Sequence, residues 1–197
     1  MDDIAEHILK RFQKAGERRT PWETYWRECY GYVLPTREGF QDSVGSRKSD
    51  LLFNGTAADA AEQLAASLMA QLTPPWTRWF SLTAGHALTP EEQNALTPVL
   101  DRAAEVVQFH MDRSNFAVEM HQCFLDLVVG GTASLLFEEA GLGEASAFRF
   151  TAVPLADLVL EEGPEGRLDV TFRRCRFTLP ALRKHYPDAV LPDDLER

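Results

Sequence analysis

The sequence predicts an α+β fold, with about five helices in residues 1–131 and a small, mainly antiparallel β-sheet in residues 132–197. Three observations carry that expectation. Apolar residues recur at helical spacing before residue 131, the period moves toward two after it, and glycine-rich turns separate the later segments. Helices first and strands later argue against a doubly wound sheet, and the two parts are expected to pack as one unit.

Ile4, Ile8, Leu9 and Phe12 mark a first short helix, with acidic residues early and Lys10, Arg11 and Lys14 late, expected to end near Gly16. Thr20-Pro21-Trp22-Glu23 reads as a helix start, with a hydroxyl cap, a proline where no N–H is needed and a carboxylate placed for a capping box. In the second helix Trp22, Tyr25, Trp26, Cys29 and Tyr30 form a wide aromatic stripe, which Pro35 ends. Residues 36–50 carry Gly, Ser and charge without periodicity, including Arg37, Arg47 and Lys48, and read as a mobile loop.

Thr56 opens TAADAAEQLAASLMAQL, a strong helix with Thr56 and Asp59 as a capping pair and alanines that permit close helix approach. Thr73-Pro74-Pro75 stops it; Trp76, Trp79 and Phe80 follow in an extended segment, with Ser81-Leu82 as a possible strand. Thr89-Pro90-Glu91-Glu92 repeats the start signal, and the helix after it is expected to kink or restart at Pro98. Ser114-Asn115 can cap a further helix burying Phe116, Met120, Cys123, Phe124, Leu127 and Val128, ending at Gly130-Gly131. Short β segments are expected at 132–138, 147–153, 157–160 and 168–177, with Glu162 to Gly166 as a hairpin turn. A closing helix runs from Thr178 to Tyr186.

Composition narrows function. The chain has 197 residues, 45 % of them apolar, so it can bury a core without disulfides or metal. Its 3 cysteines, Cys29, Cys123 and Cys175, are widely spaced and read as small buried apolar residues of a reducing compartment. A net charge of −10 argues against binding nucleic acid by phosphate neutralisation. No apolar run reaches the roughly 20 residues needed to span a bilayer, and the N-terminus lacks the pattern of a signal peptide, so neither export nor a membrane is expected.

Catalytic patterns are absent. His7, His86, His110, His121 and His185 show no metal-ligand spacing, Gly130-Gly131-Thr132 has no lysine after it, and no G-x-S-x-G occurs. Cys123 beside His121 has no third residue to complete a nucleophile, and Glu138-Glu139 and Glu161-Glu162 adjoin turns where solvated carboxylates are ordinary. No catalytic, cofactor or metal site is expected. Arg173, Arg174 and Arg176 form a basic cluster suited to phosphate or an acidic partner, although ion pairing with nearby carboxylates also accounts for it. The large aromatics Trp22, Trp26, Trp76, Trp79 and Phe80 are dense enough to serve either as core or as subunit-packing anchors.

Those residues carry a resemblance. Arg18, Pro21-Trp22, Trp26, Tyr30, Leu34-Pro35 and Phe40, then FNGTAADAAEQLAASLMAQLTPPWTRWFSL, resemble the portal, or head-to-tail connecting, proteins of short-tailed phages. Asn54-Gly55-Thr56-Ala57 stands where that family opens an alanine-rich helix, and Leu72-Thr73-Pro74-Pro75 and Trp79-Phe80-Ser81-Leu82 match its L-x-P-P and W-F-x-L steps. Ser114-Asn115-Phe116, Asp126-Leu127, Gly130 to Ala133, Phe150 to Pro154, Gly166 to Asp169 and Phe177-Thr178 follow in the family's order.

The resemblance implies the N-terminal, wing-like part of a longer portal whose stem and clip follow the matched region. It implies a homo-oligomeric ring, typically of twelve subunits, at one capsid vertex. Terminase, scaffold, capsid and tail adaptor proteins are its partners, and double-stranded DNA passes through it without sequence specificity. The location implied is the virion, with host cytoplasm during assembly, and the role is structural. On this reading Arg37, Arg47, Lys48, Arg173, Arg174 and Arg176 are the DNA- or partner-facing basic residues. A free-standing binding module derived from a split or decayed portal gene is the alternative; an enzyme would need a pocket of convergent titratable groups.

Overall fold

A computed structural model describes residues 2–35, 54–85 and 88–189. Arg37, Arg47, Lys48 and the expected loop that holds them lie outside the described residues, as does His86. The elements run α1 (Asp2–Val33), α2 (Thr56–Leu72), α3 (Pro90–Asp112), α4 (Phe116–Gly130), β1 (Ser134–Glu139), β2 (Phe148–Val153), β3 (Leu158–Glu162), β4 (Leu168–Arg173) and α5 (Leu179–His185). A single 3-10 turn, Leu155–Asp157, joins β2 to β3. The fold is α+β, with helices first and antiparallel strands after them.

The helix boundary that the sequence predicts at Pro21 is absent. The two helices expected on either side of Thr20-Pro21 are one, α1, of 32 residues. The missing N–H of Pro21 leaves the carbonyl of exposed Glu17 to water, and the Thr20 hydroxyl donates back to the Gly16 carbonyl at 3.2 Å instead of capping a new start. Likewise α3 continues through Pro98 without restarting, since the carbonyl deprived of its partner belongs to exposed Asn94. At Thr89 the start signal is real: the hydroxyl accepts the Glu92 amide while the Glu92 carboxylate accepts the Thr89 amide.

Other caps differ from expectation. Helix α2 begins after Gly55, and its first amide is held by Asn54, whose Oδ1 accepts both the amide and the hydroxyl of Thr56. The Asn115 side chain does not cap α4; Ser114 Oγ takes the Phe116 amide at 3.1 Å, freeing Asn115 for the sheet. Gly131 ends α4 at φ 73°, a left-handed conformation that suits glycine. Ser81-Leu82 forms no strand.

Helix α4 is the centre of the molecule. It buries Cys123, Phe124, Leu125 and Asp126, four consecutive residues that face different directions, so it is enclosed on several sides. Leu127, expected on the inner face, is 42 % exposed, because the covered surface extends around Leu125 and Asp126 instead. On one side α2 approaches through Ala61 and Ala65, whose small side chains let Phe124 and Leu125 seat against the helix, with Leu68, Met69 and Met120 around them. On another, α1 and the 3-10 turn meet it: Tyr30, Val153, Leu155, Ala156 and Leu158 form a second cluster backed by Trp26, Val129 and Leu136. Leu34 packs against both clusters.

The strands form two separate hairpins. β1 and β2 pair from Ser134↔Val153 to Glu139↔Phe148. β3 and β4 pair from Leu158↔Arg173 to Glu162↔Leu168, with a bulge at Glu161/Glu162. The Glu162 to Gly166 turn is present as the sequence predicts; the Gly163 amide donates to the Arg167 carbonyl at 2.8 Å, and Gly166 adopts φ 73°.

Candidate functional site

The five aromatic anchors divide according to what covers them. The Trp26 indole donates to the Gly130 carbonyl at 3.1 Å and packs on the core cluster. Trp22, one turn earlier on α1, stacks on Trp26 with ring centroids 6.4 Å apart but is 60 % exposed. Trp79 lies in the extended segment after α2, where it stacks on Phe116 of α4 at 6.1 Å and meets Phe80 edge-on at 5.1 Å. Phe116 in turn contacts Phe150 at 5.1 Å, so Trp79 caps an aromatic column that continues through Phe137 and Phe148 of the first hairpin. Trp76 is 71 % exposed.

Polar anchors that periodicity does not show hold α1 in place. Asp126 is fully buried and accepts the Tyr30 hydroxyl at 2.7 Å, which offsets the cost of removing a carboxylate from water. Arg19 sits 5.5 Å from the Trp26 ring centroid and donates to the carbonyls of Ala156, at 3.1 Å, and Leu158, while its Nε lies 3.0 Å from Glu23. Burial pulls the Arg19 pKa below its ordinary value; Glu23 opposes that shift, Arg174 adds to it and Asp157 opposes it. Arg11 pairs with Glu161 at 2.9 Å, and Phe12 meets Phe172 at 5.8 Å, so the β3–β4 hairpin is fastened along α1.

The first hairpin is fastened to α4 differently. Asn115 donates to the Phe150 carbonyl at 2.7 Å and accepts the Phe150 amide at 2.9 Å, and Glu119, one turn on, accepts the Ala152 amide at 2.7 Å. Ser146 Oγ accepts the Phe148 amide at 3.0 Å. Alternate amides of β2 that point away from β1 are thus taken by side chains.

Arg173, Arg174 and Arg176 line a cleft of about 500 Å³ between β4, α5 and the first hairpin. Arg149, which no sequence pattern joins to them, lines the same cleft, as does His185. Its position follows from strand register, since it stands opposite Glu138 in β2. Glu138 and Asp157 are the carboxylates of the lining. Arg174 is committed to Asp157, donating through Nε at 3.2 Å and Nη2 at 3.1 Å. Ion pairing, the plainer account of the cluster, therefore holds for Arg174, whereas Arg149, Arg173 and Arg176 make no ion pair among the described residues and could meet a carboxylate or phosphate.

Among the described residues no group of three or more His, Cys, Asp and Glu side chains is placed to hold a metal ion, and no helix is long and apolar enough to cross a membrane. The His121 ring nitrogen lies 2.9 Å from Glu62, joining α4 to α2, while the Cys123 thiol points to the Ser134 carbonyl at 3.6 Å.

Comparison with known proteins places the chain in a family. The chain is 24 % identical over 185 residues to a "Probable portal protein" of Bordetella phage BPP-1, covering 91 % of this chain and 32 % of that protein. It is 23 % identical over 181 residues to a "Portal protein" of Salmonella phage epsilon15, covering 88 % of this chain and 31 % of that one. The chain therefore spans about a third of the length of these curated relatives. The family model for the bacteriophage head to tail connecting protein matches residues 5–197, nearly the whole sequence, and the chain belongs to that family.

Proposed function

We propose that the chain is part of an oligomeric portal ring at a capsid vertex, the passage through which double-stranded DNA is packaged and ejected and to which the tail attaches. The role is structural and non-enzymatic. Residues 1–131 and 132–197 act together as a wing-like unit, with Trp22, Trp76 and Trp79 as contributors to subunit packing. Terminase, scaffold, capsid and tail adaptor proteins are the expected partners, in the virion and, during assembly, in the host cytoplasm. A negative net charge of −10 suits a passage along which DNA slides without being held.

One observation carries this reading beyond family membership: large apolar side chains stay uncovered beside a well-formed core. Trp22 and Tyr25 on α1, Trp76 after α2, and Val99 and Phe109 on α3 are each more than half exposed. The test is solution mass over a wide concentration range, with negative-stain images of the large species. Closed rings support the proposal; a mass that stays that of one chain at every concentration favours a free-standing module that spends its aromatics on another protein.

A further inference from the structure

Two exposed helix sides of this chain fit each other, and we propose that they meet between neighbouring copies: the aromatic-basic side of α1 in one copy covers the apolar-acidic side of α3 in the next. The proposal names the contact by which the ring inferred above would form, and rests on that reading only for the expectation that neighbours use two different surfaces.

Among the described residues, helix α3 has no partner over most of its surface. Of its 23 residues only Ala104 is buried, and its principal helix contact is with α4. Leu96, Val99, Val106 and Phe109 lie along the outer side at helical spacing and are 40 %, 63 %, 46 % and 54 % exposed. Helices in folded proteins draw most of their stability from packing an amphipathic face, so this stripe calls for a cover. Along the Phe109 flank run Glu91, Glu105 and Asp112, with Arg102 bonded to Glu105 at 2.8 Å. The helix as a whole carries five carboxylates against a single arginine.

Helix α1 offers the complement. Lys14, Arg18, Trp22, Tyr25 and Tyr32 climb one exposed side at helical spacing. Lys14 and Arg18 make no ion pair among the described residues, and the three aromatics are 60 %, 61 % and 59 % exposed. This row is about 27 Å long and that of α3, from Glu91 to Asp112, about 32 Å. Flat aromatic rings suit an apolar stripe, and cations suit its acidic margin. Because the two surfaces differ, the contact is head-to-tail and propagates from copy to copy, closing into a ring where the rotation between neighbours permits.

The test is charge exchange in the 197-residue chain, read by sedimentation and imaging. One variant carries Lys14→Glu and Arg18→Glu; the other carries Glu91→Lys and Glu105→Lys. Each is expected to keep its melting temperature at low concentration and to self-associate about tenfold or more weakly than the unaltered chain. Mixing the two restores association, since the reversed α1 of one now meets the reversed α3 of the other. Failure of the mixture to recover, or unaltered association of either variant, overturns the contact and leaves the ring reading standing on other surfaces. A chain that stays monomeric to about 1 mM also overturns it. So does loss of salt-dependent duplex DNA binding in the α1 variant without a change in mass, which would make DNA the occupant. Restored association that yields open chains and never closed rings supports the contact and overturns the ring reading.

Discussion

Helices α1 and α3 both rest on α4, and both show helical apolar periodicity, yet only one is locked down. Helix α1 places Ala15 and Tyr30 in the interior and sends Tyr30, Trp26 and Arg19 to Asp126, the Gly130 carbonyl and the backbone around Leu158. Helix α3 buries Ala104 and is held near its end by a part-buried bond from Ser146 to the His110 carbonyl at 2.7 Å and an exposed one from the Ala147 amide to the His110 ring at 3.2 Å. Apolar spacing creates a stripe that can be buried; whether this chain buries it depends on a complementary surface with polar groups at the right ends.

The contrast can be broken at the α4 centre. Phe124→Ala removes a ring that is 3 % exposed between α2 and α4 and should lower stability by about 3–5 kcal/mol in urea unfolding. Next, Tyr30→Phe keeps the ring but strips Asp126 of one donor, with an expected loss of about 1.5–3 kcal/mol by the same measurement. Trp76→Ala lies on the open side of the comparison and should alter the unfolding free energy of the isolated chain by no more than about 0.5 kcal/mol.

The smallest effect concerns the α3 cap. Hydrogen bonds from the Thr89 amide and hydroxyl hold the Glu92 pKa below its ordinary value. A depressed carboxylate pKa gives stability that is whole above the ordinary glutamate value, about 4.3, and that is lost as pH falls through the depressed one. Glu92→Gln should flatten that acid limb of the α3 helix signal in circular dichroism; an unchanged limb would remove Glu92 from the cap.

Helix and strand identities were legible because their signals are local: the TAADAAEQL run, the Thr89 box and the Glu162 to Gly166 turn depend on neighbours in sequence. Pro21 misleads because a missing N–H matters little where the orphaned carbonyl faces water, as at Glu17, and α3 passes Pro98 without restarting for the same reason at Asn94. The division into two hairpins and the joining of Arg149 to the Arg173 cluster needed register, which spans residues far apart in the chain. Of the Ser114-Asn115 pair expected to cap α4, Ser114 takes the Phe116 amide and Asn115 instead serves the sheet. Tyr30 was assigned to a stripe on its ring alone, while the carboxylate that fixes its hydroxyl lies 96 residues away.

The Asn115, Glu119 and Ser146 bonds to β2 have a consequence for life in a crowded assembly. A two-stranded ribbon with an open flank invites any extended segment of a neighbour to add on as a further strand, which is how ordered subunits slide into aggregates. Here that flank is already occupied by side chains from within the same chain. Copies brought close together at high local concentration are thereby steered away from backbone-to-backbone zippering at β2, leaving recognition to side chains, whose pattern is particular to this sequence.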